Sequence, residues 1–270
     1  MKNFRFLLVA IAIYFTSNNV MAHDHPHLHV SDRWKECSVQ IDPSLTQEAW
    51  HQFAGEAGLV TYFRPLIDAK PMGIRRFEFS ILQWNTKIDE GDEAWNNTFV
   101  HPNEEHWLIG GEELSFPGFS LRAGITKKLD AAIFWSKRPS ANYGVIGAQV
   151  QYNLIDDTTH NWALSTRASF SSLYGPEDLY LTVYGTDFLV SKKFQLFSPK
   201  FSISPYAGLT TYLSHAHEKT EVVSLHNENI FGVQSIAGAA LEISFMRLGL
   251  EYNVAKVNSF NYKLGVNFKF

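Results

Sequence analysis

Apolar and polar residues alternate with a period of two along most of the chain after residue 72. Successive side chains of a β-strand point to opposite faces, so this alternation predicts strands with one apolar and one polar face. All of the alternating segments but 131–138 are long enough to cross a bilayer, which takes ~9–11 residues of a tilted strand. The ten predicted strands are 73–85, 117–127, 131–138, 143–155, 162–174, 178–192, 201–215, 230–243, 245–257 and 259–270.

The composition of the two faces favours a membrane barrel. In segment 143–155 the polar or small set is Gly147, Gln149, Gln151 and Asn153. Each strand alone also fits a soluble β-sandwich, but a sandwich explains neither the many Gly and Ser residues on the polar face nor the terminal aromatic. The pattern therefore predicts an all-β fold: a transmembrane antiparallel up-and-down β-barrel of about ten strands, with eight to twelve as the range.

The lengths of the connections suggest an orientation. If the N-terminus lies in the periplasm, the first connection, 86–116, and the fourth extracellular one, 216–229, are both long. Long extracellular loops and short periplasmic turns are typical of outer-membrane barrels. An even number of strands then places both ends of the barrel domain on the periplasmic side.

The last eight residues alternate without a break and end on an aromatic. They resemble the C-terminal assembly signal of Gram-negative outer-membrane β-barrel proteins, which is polar-x-Gly-x-x-aromatic-x-aromatic. Lys263, Gly265, Phe268 and Phe270 occupy those places. The resemblance implies a barrel inserted into the bacterial outer membrane by the barrel-assembly machinery, with outer-membrane lipid and lipopolysaccharide around it.

The other end of the chain predicts export. Lys2 and Arg5 precede an apolar run over 6–15, and a small-residue site ends at Ala22. This arrangement is typical of a secretory signal peptide, and the run is too short to cross ~30 Å of hydrocarbon. We expect cleavage after Ala22, which leaves a mature chain of residues 23–270.

Before the first predicted strand, the periodicity is helical over 44–64. Trp50, Phe53, Ala54, Ala57 and Val60 share one face, and Ser44 can cap the helix with Gln47 as its capping-box partner. This short periplasmic helix could dock under the barrel mouth, enter as a plug or lie at the membrane interface. Docking is preferred, because its aromatic residues need a partner surface and the mouth is closest in sequence. The predicted domains are 1–22, the signal peptide; 23–72, the His-rich leader and helix; and 73–270, the barrel.

Composition excludes some function classes. The net charge is −4, and the basic residues form no long cluster, so nucleic acid is not an expected partner. Mean hydropathy is −0.14, a value that a transmembrane barrel shares with soluble proteins because every second strand residue is polar. The single cysteine, Cys37, excludes an intrachain disulfide.

The mature N-terminus carries four histidines in seven residues. They are His23, His25, His27 and His29. After cleavage at Ala22, the free amine, two amide nitrogens and the third-position imidazole of His25 can wrap a square-planar Cu(II) or Ni(II) ion. The other histidines could add ligands or hold Zn(II). The alternative is a solvated leader with no physiological metal, and no cofactor is otherwise required.

A second candidate is the pairing of Ser214 with a rim histidine, which would suit an outer-membrane lipid-modifying enzyme. His215 and His217 follow on the same strand, but Ser214 and His215 point to opposite faces. A nucleophile at Ser214 would therefore need a histidine from a neighbouring strand.

A further hypothesis is that the chain is a soluble periplasmic β protein that binds Cu or Zn through its leader.

The predicted lumen faces carry charges of both signs. They are Arg76, Glu78, Arg122, Arg167, Glu242, Arg247, Glu251 and Lys263. Ionised groups in a narrow barrel need partners, so an ion-pair network is expected to fill the lumen. This argues against a wide general porin. It leaves a structural role, or a narrow channel or binding site for small solutes, as the main functional hypothesis.

Overall fold

In the computed structural model, residues 38–64, 66–89, 91–100, 113–138, 141–198, 200–220 and 222–269 are described. Thirteen strands and two helices occur in this part of the chain. In chain order they are β1 (Ser38–Val39), α1 (Gln47–Thr61), β2 (Arg76–Lys87), α2 (Glu93–Asn96), β3 (Phe99–Val100), β4 (Glu113–Gly124), β5 (Leu129–Lys137), β6 (Gly144–Asp157), β7 (Trp162–Tyr174), β8 (Leu179–Lys192), β9 (Phe194–Gln195), β10 (Phe201–Glu218), β11 (Glu228–Ile243), β12 (Met246–Val254) and β13 (Ser259–Lys269).

The ten long strands close into a barrel. Their order around the wall is β11-β12-β13-β2-β4-β5-β6-β7-β8-β10, and β10 pairs with β11 to complete the circle. Every ladder is antiparallel, and chain neighbours are wall neighbours. Short β9 extends the ladder at the start of β10. The predicted ten-stranded up-and-down barrel is confirmed, with strand ends shifted by a few residues.

The outer wall is apolar. Along β6, Ile146, Val150 and Tyr152 are exposed, whereas the intervening Gln149 and Gln151 are buried inside the barrel. The same alternation follows the other long strands. A closed wall with a continuous apolar exterior has no stable place in water, so this is a transmembrane barrel. Among the described residues, no helix is both long enough and apolar enough to cross a membrane.

The two rims of the barrel differ. We call the rim where β2 begins and β13 ends the turn end, because its connections are short, as at 158–161 and 244–245. The opposite rim, the loop end, carries the connections 88–112 and 219–227. Short turns face the periplasm in outer-membrane barrels, so the orientation predicted from the sequence puts the loop end outside the cell.

Helix α1 lies inside the barrel, and this corrects the expectation that it docks under the periplasmic mouth. The Ser214 hydroxyl on β10 donates to the Ala54 carbonyl at 2.8 Å. The indole of Trp84 on β2 donates to the Val60 carbonyl at 3.1 Å. The helix is almost wholly buried from Ala49 to Thr61, because Ala, Gly and Leu residues on its remaining faces also meet the wall. A barrel mouth offers only one face, whereas the lumen covers all of them.

The bounds of α1 also differ from the prediction. Thr46, rather than Ser44, caps the helix, since its side-chain oxygen accepts from the Ala49 backbone nitrogen at 3.2 Å. The Ser44 hydroxyl donates instead to Asp42 at 2.6 Å. The helix is therefore shorter than 44–64 at both ends, and a non-helical segment, 66–72, follows it through the lumen.

Candidate functional site in the barrel lumen

The lumen is apolar in its loop-end half. The inward residues there pack around α1, and they include Trp84, Phe116, Phe134, Val145, Leu181, Val183 and Tyr212. Interiors of transmembrane barrels are normally polar. Inward apolar side chains are stable here because Phe53, Ala57 and Val60 of α1 bury them. The loop-end half of the lumen is therefore a hydrophobic core and not a water-filled bore.

Aromatic rings fasten the end of α1 to the wall. Phe63 stacks on Phe134 of β5 with ring centroids 4.3 Å apart, and Trp84 meets Phe134 edge-on at 5.2 Å. Such pairs contribute about 0.5–1.5 kcal/mol each beyond the area that they bury.

Two glycines make room for this packing, because they carry no side chain. A Cβ atom at Gly58 of α1 would lie 2.6 Å from the Cβ of Ser214. A Cβ atom at Gly185 of β8 would lie 2.2 Å from the ring of Tyr62. Both distances are shorter than carbon atoms tolerate, so helix and wall approach each other as closely as they do only because these positions are glycine.

The turn-end half of the lumen is charged, and its first cluster surrounds Asp187 of β8. The Tyr62 hydroxyl donates to Asp187 at 2.8 Å, and the Arg167 Nε donates to the other oxygen at 2.8 Å. The Thr210 hydroxyl donates to Asp187 at 2.5 Å. All four side chains are buried. A buried carboxylate with this many donors remains ionised at low cost.

A second cluster ties the segment 66–72 to β2, β12 and β13. Lys263 donates to Glu78 at 2.6 Å, and both are buried. The Arg247 guanidinium lies 2.9 Å from Asp68 of the threading segment and 3.8 Å from Glu78. The Glu242 carboxylate is 3.6 Å from Arg247 and 2.5 Å from Lys193. Segment 66–72 thus supplies Asp68, one of the carboxylates that balance the charge of the cations on the wall.

The threading segment leaves the lumen beside a third pair. Arg122 of β4 and Asp130 of β5 form a buried ion pair. The Met72 backbone nitrogen donates to Asp130 at 2.9 Å. Nearby, the Ala69 backbone nitrogen donates to the Ser191 hydroxyl at 3.1 Å. Backbone groups of segment 66–72 are therefore hydrogen-bonded to the wall as far as the turn end.

The other predicted lumen residues have different surroundings. Glu251 is buried and accepts from the Tyr206 hydroxyl at 2.9 Å and from Asn253 at 3.2 Å. Arg76 is exposed at the turn-end rim and is not part of the buried clusters. It lines a cavity of about 190 Å³ at this mouth, together with Lys70, Lys193 and Glu242.

Three carboxylates of these clusters, Asp68, Asp130 and Asp187, are not among the lumen residues predicted from the sequence. Asp130 lies one residue before the predicted strand 131–138, and Asp68 lies outside any predicted strand. Asp187 has the same strand parity as Leu181 and Val183, so most of its neighbours on that face are apolar. The unbalanced excess of cations on the predicted lumen faces was a signal that more carboxylates had to be present.

The residues of the assembly signal are divided between the two faces of β13. Lys263 lies inside in its pair with Glu78, and a Cβ atom at Gly265 would come within 3.1 Å of the Glu78 side chain. Phe268 faces outward and stacks on Phe77, with centroids 5.8 Å apart. Phe270 lies outside the described residues.

The candidate histidines are not brought together with a nucleophile. His23, His25, His27 and His29 lie outside the described residues. His215 and His217 face outward and contact Asn229 and Asn227, whereas the Ser214 hydroxyl points into the lumen. Ser214 therefore has no role as a nucleophile activated by these histidines. Within the part of the chain that the structure describes, no group of three or more His, Cys, Asp or Glu residues could hold a metal ion.

Comparison with known proteins shows similarity at the level of fold. No protein-family profile and no curated protein matches the sequence. Among solved structures, an outer-membrane channel from Pseudomonas putida F1 is similar over 77% of this chain and 100% of its own, with 9% identity and a TM-score of 0.44. LpxR from Salmonella typhimurium matches over 70% of this chain and 99% of its own, with 11% identity and a TM-score of 0.37.

The N-terminal barrel domain of Pseudomonas aeruginosa OprF is similar over 73% of this chain and 99% of its own, at 11% identity and a TM-score of 0.31. These neighbours are outer-membrane β-barrels. The closed antiparallel wall and apolar exterior of the present chain share that barrel fold.

Proposed function

We propose that this protein is an integral outer-membrane barrel closed by its own N-terminal segment, with a structural or binding role rather than a role as an open pore. The observation that carries the proposal is the passage of residues 38–72 through the whole lumen. This plug, defined as residues 38–72, contacts the wall in the apolar half through α1 and in the charged half through Tyr62, Asp68 and Met72.

Movement of the plug out of the lumen would break buried ion pairs and expose apolar side chains. Removing Asp68 from Arg247 would leave a buried guanidinium with one partner fewer, and breaking a buried ion pair typically costs 3–5 kcal/mol. Withdrawal of α1 would also expose the apolar inner wall around Trp84 and Phe134 to water. A narrow solute path would require the plug to move as a unit.

The turn-end cavity supports solute binding only weakly. Its volume of about 190 Å³ lies below the roughly 300–1,000 Å³ of typical small-molecule pockets. Its lining holds four cationic side chains and two carboxylates, and these carboxylates, Asp68 and Glu242, already pair with Arg247 and Lys193. The outer surface offers more: exposed aromatics such as Trp135, Tyr184 and Phe188 suit contact with outer-membrane lipid, and lipopolysaccharide would meet the loop-end rim.

Conductance of the full chain in planar bilayers tests the proposal. A second form with Ala69→Cys and Ser191→Cys in a Cys37→Ala background locks the plug to the wall when oxidised. We expect no stable conductance steps from either protein. Steps from the unlocked protein that vanish on oxidation would identify a gated channel. Steps from both would show that the lumen is open and would overturn the proposal.

A further inference from the structure

We infer that the plug begins at the loop end, so that the chain enters the lumen at Ser38 from the cell surface and not from the periplasm. The ten-stranded barrel begins and ends at the turn end, so a leader preceding it is expected in the periplasm. The plug reverses that expectation because it carries the chain through the lumen from one rim to the other.

The first described residues belong to the loop end. Strand β1 pairs with β3, with Val39 opposite Phe99, and the Gln40 backbone nitrogen donates to the Thr98 carbonyl at 3.0 Å. Strand β3 lies within the connection between β2 and β4, which is the longest connection of the loop end. The chain start is therefore part of a two-stranded sheet formed by a surface loop.

Two further loop-end connections hold the same segment. Asn142, between β5 and β6, donates to the Val39 carbonyl at 2.7 Å and accepts from the Val39 nitrogen at 2.9 Å. Asp178, between β7 and β8, accepts from the Ile41 nitrogen at 3.2 Å. Val39 and Ile41 are buried in the core cluster that contains α1. Three separate connections thus fix where the plug begins.

The other end of the plug is fixed at the opposite rim. Ala69 contacts Ser191 near the end of β8, and Met72 contacts Asp130 beside the short turn between β4 and β5. The fifteen residues of α1 span about 22 Å, and the non-helical residues that follow can add at most ~3.3 Å each. Together they exceed the ~30 Å of hydrocarbon that the barrel crosses.

Labelling of intact cells tests the inference with the full chain. In a Cys37→Ala background, Val30→Cys reports on the leader, Ser224→Cys on the loop end and Ser198→Cys on the turn end. Ser224 and Ser198 are both exposed. With a polymer-linked maleimide too large to enter the periplasm, we expect Val30→Cys to react as fully as Ser224→Cys. Ser198→Cys should react only after the outer membrane is permeabilised.

An epitope inserted between His29 and Val30 provides a second readout, so a poorly reactive thiol does not decide the result. Antibody staining of intact cells supports surface display. Staining only after permeabilisation overturns it, as does labelling of Ser198→Cys in intact cells, which would reverse the orientation. Neither contrary result affects the closed lumen, which conductance tests separately.

Discussion

The Tyr62 hydroxyl donates to the Asp187 carboxylate at 2.8 Å, and this contact joins the end of α1 to the wall 125 positions away. The same carboxylate pairs with Arg167 at 2.8 Å. The plug is therefore bonded to a group that the barrel needs for its own charge balance. Plug seating and wall stability should be coupled.

Two substitutions at this contact should lower the free energy of unfolding by different amounts. Tyr62→Phe removes the hydrogen bond to the charged Asp187 and the one accepted from the Ser169 hydroxyl at 3.2 Å, and it should lower the free energy of unfolding by roughly 1.5–3 kcal/mol. Asp187→Ala leaves the buried Arg167 without its partner and should cost about 3–5 kcal/mol. Denaturant midpoints, followed by heat-modifiable gel migration, measure both.

Tyr152→Phe is the matched control, because Tyr152 is exposed on the outer wall. It should leave the midpoint unchanged. Equal midpoints for Tyr62→Phe and Tyr152→Phe would contradict a seated plug.

The glycines of α1 should respond differently to a methyl group. Gly58→Ala places a Cβ 2.6 Å from Ser214 and should destabilise by about 1–3 kcal/mol. Gly55→Ala meets only Ile230 at 3.4 Å, so the gain in helix propensity, about 0.5–1 kcal/mol, should prevail. Adding Ser214→Gly removes both crowded atoms and should recover part of the loss at Gly58. Destabilisation of equal size at both glycines would argue against close helix–wall contact.

Lys263 is part of both the assembly signal and an ion pair, and a double variant separates these roles. Lys263→Met leaves buried Glu78 with only the more distant Arg247, so we expect a loss of several kcal/mol. Adding Glu78→Gln should restore much of it if the charge pair matters. Failure of the double variant to regain membrane-inserted protein would assign Lys263 to assembly alone.

Copper binding by the leader should depend on the position of His25. With His23 as the first residue, one Cu(II) should bind to the amine, two amides and the His25 imidazole with a square-planar visible absorption band. His25→Ala should abolish this band, whereas His29→Ala should preserve it. A band that is unchanged in His25→Ala would show that the histidines bind metal without the N-terminal geometry.

The barrel could be predicted from sequence because its signal is local. Period-two alternation specifies both strand and face, and chain neighbours are wall neighbours, so Ile146 or Gln149 could be assigned without knowing any distant contact. The helix could be predicted for the same reason, from the spacing of Trp50, Phe53 and Ala57.

The contents of the lumen could not be predicted, because they depend on contacts between residues more than a hundred positions apart. The inward residues Leu181 and Val183 depart from the polar-inside rule, which is a local sign of an apolar occupant. Nothing local stated that the occupant was α1. Likewise, Asp68 became a counter-ion for Arg247 only when the plug brought it to the turn end.

Disulfide trapping in cells tests the occupied lumen most directly. The Ala69 nitrogen lies 3.1 Å from the Ser191 hydroxyl, so these two positions are neighbours across the contact between plug and wall. In a Cys37→Ala background, Ala69→Cys with Ser191→Cys should crosslink in the oxidising periplasm and alter gel migration. Ala69→Cys with Ser224→Cys, at the opposite rim, should not. Free, alkylatable thiols in the first pair of a correctly inserted barrel would contradict the account.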